Sequence, residues 1–221
     1  MENGIKGIFF DYSGLLFDCV FDENRTLKRA HEHVLELLNS KGNEIVFKDL
    51  KEASYKSFLE YMEYRKKELN GEWALEEIMK RTLKRLNIPA DEEILKEITH
   101  IYKIENHDTI PKKGVFTVIP KLGQNYKLGI ISNTTHDSLR YELKENDLLH
   151  YFDNITLSYE VGKRKPDKII YETALKKSNL EPKESLFVSH DMDEIDGARK
   201  VGMKTILIDS TKGGSLEELL K

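Results

Sequence analysis

The pattern of the chain changes at residue 111, and that change limits its possible folds more than any other feature. Beyond it, apolar runs at 127–132, 154–157, 185–189 and 205–209 alternate with helical stretches at 114–123, 136–148, 167–179 and 192–201. Short apolar runs bounded by turn residues read as buried strands. Their alternation with helices predicts right-handed crossovers and a parallel sheet. One further run, 5–10, lies far upstream, before a Ser13-Gly14 turn, and belongs by its character to the same sheet.

Between these parts, from about 20 to 110, the pattern is helical throughout. Leu27, Ala30, Val34, Leu37 and Leu38 share one stripe. So do Tyr55, Phe58, Leu59 and Met62; Leu75, Ile78, Met79, Thr82 and Leu86; and Ile94, Ile98 and Ile101. The three-and-four spacing places each set on one helix face. Asp91 followed by Glu92 and Glu93 reads as an N-cap with acids at the positive end of the helix dipole. The expected architecture is an α/β core, a parallel sheet flanked by helices, built from 1–19 and 111–221. An all-α helical domain, 20–110, is inserted after its first strand.

Charge narrows the partners. The 35 Lys and Arg against 39 Asp and Glu give a net charge of -4, which argues against a nucleic-acid-binding surface and against a polybasic membrane anchor. The single cysteine, Cys19, excludes an intrachain disulfide and a cysteine zinc cluster. The first apolar run is too short for a signal or a membrane span, so a cytoplasmic setting is expected.

Ligands of an open parallel sheet bind beyond the carboxyl ends of its strands, and there the acids and bases gather. The first strand ends in Asp11-Tyr12-Ser13-Gly14 and the next in Ser132-Asn133. Lys163-Arg164-Lys165-Pro166-Asp167 precedes a helix, and Ser189-His190-Asp191 ends another strand, with Asp193, Glu194 and Asp196 behind it. Each alone reads as readily as a cap, a turn or a solvated charge. Together, two carboxylates from separate strands suit Mg²⁺. A hydroxyl, free amides and a lysine suit a phosphate, and a carboxylate could then attack phosphorus in line.

At these residues the sequence resembles the haloacid dehalogenase-like hydrolase superfamily. FFDYSGLLFD, LGIISNTT, VGKRKPDKIIYETAL and SLFVSHDMDEIDGARKVGMKTILID are similar to its four signatures and occur in family order. The resemblance implies a Rossmann-like core with a helical cap that encloses a small phosphorylated substrate. By it, Asp11 would be the nucleophile, Ser132 and Asn133 would bind the transferring group, and Lys165 would neutralise charge. Asp11, the Ser13 carbonyl and Asp191 would hold Mg²⁺, with Glu194 near the metal or its waters.

The sequence departs from that pattern at Ser13, where phosphatases of the superfamily carry a second Asp as general acid and base. A serine hydroxyl cannot hold and release a proton near neutral pH, and losing such help typically costs about 10²–10⁴-fold. Leu15 replaces the usual Thr. Asp191 stands where the related dehalogenases carry Asn, which favours a metal. His190, just before Asp191, is an unusual neighbour: either a surrogate acid-base group or a residue that packs or supports the groups around the metal. Cys19 reads as a small buried residue, and Trp73 as an anchor of the cap helices. The basic cap residues Arg25, Arg29, Arg65 and Arg81 include candidate substrate contacts that spacing does not rank. The leading expectation is a Mg²⁺-dependent phosphatase, as a monomer or homodimer. The alternatives are a metal-independent 2-haloacid dehalogenase and a phosphate- or protein-binding member without useful turnover.

Overall fold

The computed structural model describes residues 4–105, 108–209 and 214–220. The chain divides into two compact units, Met1–Cys19 with Thr109–Lys221, and Val20–Asp108.

The first unit is built on β1 (Gly7–Phe10), β4 (Lys127–Ser132), β5 (Asn154–Leu157), β6 (Ser185–Ser189) and β7 (Lys204–Leu207). They form one sheet of order β5-β4-β1-β6-β7, with every neighbouring pair parallel. β1 is central and wholly buried, as expected for a strand covered on both faces. Its side chains alternate between two cores. Ile8 and Phe10 pack with α5 (Val115–Gly123) and α6 (Leu139–Glu145), whereas Phe9 packs with α8 (Lys168–Ser178) and α9 (Met192–Lys200). Gly129 makes room for Phe9, since a Cβ there would lie 2.6 Å from the ring.

Register fixes what emerges from the sheet. Phe10 pairs with Ile130 on one side and Val188 on the other, and the Asp11 amide donates to the Val188 carbonyl at 2.9 Å. Asp11, Ser132 and Ser189 therefore leave the same edge.

The second unit is helical: α1 (Lys28–Ser40), α2 (Phe47–Lys67), α3 (Leu75–Arg85) and α4 (Glu92–Glu105) share one apolar core. Asp91 accepts from the Ile94 amide at 2.8 Å, capping α4 as the sequence suggested. The α2 stripe differs from expectation. Tyr55, Phe58 and Leu59 are exposed, and the buried face carries Leu50, Ala53, Ser54, Ser57 and Tyr61. Three small residues form the packing face, and a count of large apolar side chains misses them. Trp73 stacks on Tyr64, with Arg81 4.2 Å above its ring, so it packs within the helical unit as expected.

Two strands not foreseen, β2 (Phe17–Val20) and β3 (Asp108–Pro111), pair where the chain leaves and re-enters the α/β unit. The helix expected over 136–148 is shorter, a 3₁₀ turn at Leu149–Tyr151 follows it, and the short α7 (Ser158–Val161) comes directly after β5. Among the described residues no helix is long and apolar enough to cross a membrane.

Candidate active site at the ends of the central strands

The centre of the site is a buried ion cluster. The Lys165 side chain is fully buried and its Nζ donates to Asp11 Oδ1 at 2.5 Å and to Glu194 Oε2 at 2.9 Å. The Asp11 side chain is 6% exposed and that of Glu194 12%. Burial works to raise the Asp11 carboxyl, but the Lys165 ammonium and His190 outweigh it and hold Asp11 below the usual carboxylate range. For Glu194 burial wins, with Asp11 adding to it, and the carboxyl is raised despite Lys165. Burial opposes the charge on Lys165, yet its two carboxylates raise its pKa. Asp11 is thus a buried carboxylate held in its ionised form.

Lys165 is positioned through its main chain. Asn133, just past β4, accepts from the Lys165 amide through Oδ1 at 2.8 Å and donates from Nδ2 to the Lys165 carbonyl at 3.3 Å. Its Nδ2 also reaches Glu194 Oε1 at 3.4 Å. Pro166, after Lys165, packs on α9 where Gly197 has no side chain; a Cβ there would lie 2.8 Å from Pro166. Ser189 Oγ donates to Glu194 Oε2 at 2.8 Å, and Tyr171 Oη donates to the Glu194 carbonyl at 2.7 Å. Ser132 ends β4 and is buried.

Asp11, Asn133, Lys165, His190 and Glu194 thus come together, but with different partners than the sequence implied. His190 places Nδ1 3.2 Å from Asp11 Oδ2, opposite Lys165. The Asp11 hydrogen bond raises the imidazole's pKa and outweighs its partial burial. The His190 ring also lies against Gly14, where a Cβ would be 2.7 Å from Cε1 and Nε2. Asp191 instead caps α9: its Oδ1 accepts from the amides of Asp193 at 2.8 Å and Glu194 at 3.2 Å, and the residue is exposed. Ser13 is exposed, and its hydroxyl bonds the Cys19 thiol, which burial pushes up to about 11.

The expected magnesium set of Asp11, the Ser13 carbonyl and Asp191 does not fit this arrangement. Both Asp11 oxygens are engaged by nitrogen donors, and Asp191 turns an oxygen to its own helix. Among the described residues no group of three or more His, Cys, Asp or Glu is placed to hold a metal ion. Glu194 shares Lys165 with Asp11. The sequence carried a signal for this: Asp directly before a helix is a favoured N-cap. The sequence placed Ser189 and Gly14 at these strand ends without a role for either, and gave no sign of Tyr171.

Most of the chain matches a known family. A profile described as haloacid dehalogenase-like hydrolase matches residues 21–208. A glyceraldehyde 3-phosphate phosphatase of Methanothermobacter thermautotrophicus is 36% identical over 95 residues, spanning 42% of each chain. The chain therefore covers less than half of that relative's length. A protein of the same name from Pyrococcus abyssi is 26% identical over 207 residues, covering 91% of this chain and 80% of its own. The structure of a 2-haloacid dehalogenase from Pseudomonas syringae superposes with a TM-score of 0.69 at 20% identity, over 94% of this chain and 87% of that one, a likeness of fold. The chain belongs to the haloacid dehalogenase-like hydrolase family.

Proposed function

We propose that the chain hydrolyses small phosphate monoesters through an aspartyl-phosphate on Asp11. The carrying observation is the Asp11–Lys165 contact, a nucleophile kept ionised beside a buried cation at a strand end. The phosphatase relatives support the substrate class. A three-carbon sugar phosphate such as glyceraldehyde 3-phosphate is the first compound to assay.

Asp11 attacks phosphorus, the bond from phosphorus to the alcohol oxygen breaks, and the leaving oxygen takes a proton from solvent. Water then attacks phosphorus, the bond to Asp11 breaks, and orthophosphate departs with the carboxylate restored. Lys165 offsets the charge of Asp11 and of the incoming phosphoryl oxygens, an electrostatic role worth most where water is excluded. Asn133 holds Lys165 in place. With Ser13 unable to supply a proton, esters of acidic alcohols turn over faster than alkyl esters. The test is phosphate release from p-nitrophenyl phosphate and glyceraldehyde 3-phosphate, abolished in Asp11→Asn; no release across a broad ester panel, with and without Mg²⁺, overturns the reading.

A second reading is favoured by one observation, the engagement of both Asp11 oxygens by basic nitrogens. Such a carboxylate could displace halide from a short 2-haloacid, and halide leaves without needing a proton. Halide release from 2-chloropropionate in EDTA is its test.

A further inference from the structure

We propose that His190 is a catalytic residue that takes the place of a divalent cation on Asp11, so that hydrolysis at this site proceeds without metal. The inference rests on the phosphatase reading for its reaction but on geometry for its content. A metal-bearing carboxylate nucleophile needs one oxygen free for the cation. Here Lys165 takes Oδ1 and His190 Nδ1 takes Oδ2.

Two further features hold that arrangement. Gly14, at φ 84°, brings bare backbone against the His190 ring, and any side chain there would strike it. Asp191, the only carboxylate adjacent to His190 in sequence, is committed to the N-terminus of α9 through two amides. A divalent cation on Oδ2 would have to displace His190.

The His190 side chain is 41% exposed while that of Lys165 is fully buried. The two therefore differ in what they can do. Lys165 is a fixed counter-charge, whereas His190 borders solvent and lies where an anionic group approaching Oδ2 must pass. As Oδ2 turns to the electrophile, the imidazole N–H passes from the carboxylate to a phosphoryl oxygen, a hydrogen bond made stronger as charge builds there.

The experiment combines calorimetric titration with Mg²⁺ and turnover of p-nitrophenyl phosphate in EDTA or Mg²⁺. The wild type is expected to take up no Mg²⁺ and to turn over equally, within about twofold, in both buffers. His190→Ala is expected to lower kcat by about 10²-fold with KM little changed, the scale of losing one charge-stabilising donor, and added Mg²⁺ does not restore it. His190→Asp, which sets a carboxylate beside Asp11, is expected to take up one Mg²⁺ per chain, and Asp11→Asn in that background abolishes the uptake. Asp11-dependent Mg²⁺ uptake by the wild type, loss of turnover in EDTA, or failure of His190→Asp to bind Mg²⁺ overturns the proposal. Absence of turnover in every buffer counts against the phosphatase reading instead, and the titrations still decide the role of His190.

Discussion

Asn133 grips the main chain of Lys165 from both sides, accepting from its amide at 2.8 Å and donating to its carbonyl at 3.3 Å. The residue after β4 thus sets where the lysine ammonium meets Asp11. Asn133→Ala leaves every charge in place and removes this hold together with the 3.4 Å contact to Glu194 Oε1. It is expected to lower kcat about 10–100-fold, because small misplacements in a reactive geometry cost rate on that scale. Steady-state kinetics beside a urea melt check this, with a stability loss of only about 1 kcal/mol expected.

Lys165 neutralises two buried carboxylates. Lys165→Met is expected to destabilise the α/β unit by about 3–5 kcal/mol, the range for removing one partner of a buried ion pair. Lys165→Met with Glu194→Met should recover part of that loss while remaining inactive. Chemical denaturation of the two variants is the measurement. Equal losses in both would show that Glu194 does not depend on Lys165.

At Gly197, α9 meets the loop that carries Lys165, and an added Cβ would lie 2.8 Å from both Pro166 Cβ and the Pro166 carbonyl. Gly197→Ala is expected to cost about 1–3 kcal/mol by overpacking, and to lower kcat because it pushes on Lys165. Thermal melts and kinetics together test this.

Ser13 offers no proton to a leaving alcohol. Ser13→Asp is expected to raise kcat/KM for alkyl phosphates by up to about 10²-fold, the scale of general acid help, with much less gain for p-nitrophenyl phosphate. The ratio of the two substrates, compared between wild type and variant, reads the effect. An unchanged ratio would mean that residue 13 does not face the leaving group.

In the helical unit, Glu60 accepts from Arg85 and Arg81, and these bonds hold its carboxyl below the usual value against a smaller opposing effect of burial. A depressed folded-state value contributes stability above the unfolded carboxylate range, and that stability is lost as pH falls through the folded value. Both ends are part exposed, so the effect is modest. Trp73, the one tryptophan, lies beneath Arg81 and reports on this cluster by fluorescence. Urea midpoints followed at Trp73 should fall on acidification more steeply in the wild type than in Glu60→Gln.

The layout of the fold was legible because apolar runs and helical stripes have different periods. The runs 127–132, 154–157 and 185–189 coincide with β4, β5 and β6. Less legible was the face of α2, where Ala53, Ser54 and Ser57 pack inward and the aromatics turn out. Of the site, Asp11, Asn133 and Lys165 could be found because strand ends converge. The roles of His190 and Asp191 could not, because a one-residue difference in where a strand ends and a helix begins decides which side chain faces Asp11. Motif spacing alone does not carry that register, whereas N-cap chemistry does.

The central claim, that Asp11 forms the covalent intermediate, is tested most directly by acid-quenching the protein during turnover of a phosphate ester and mapping the phosphoryl group by mass spectrometry. The expected result is one phosphoryl group on the peptide carrying Asp11, absent in Asp11→Asn. Phosphate release that continues in Asp11→Asn, or a phosphoryl group on another residue, would contradict the account.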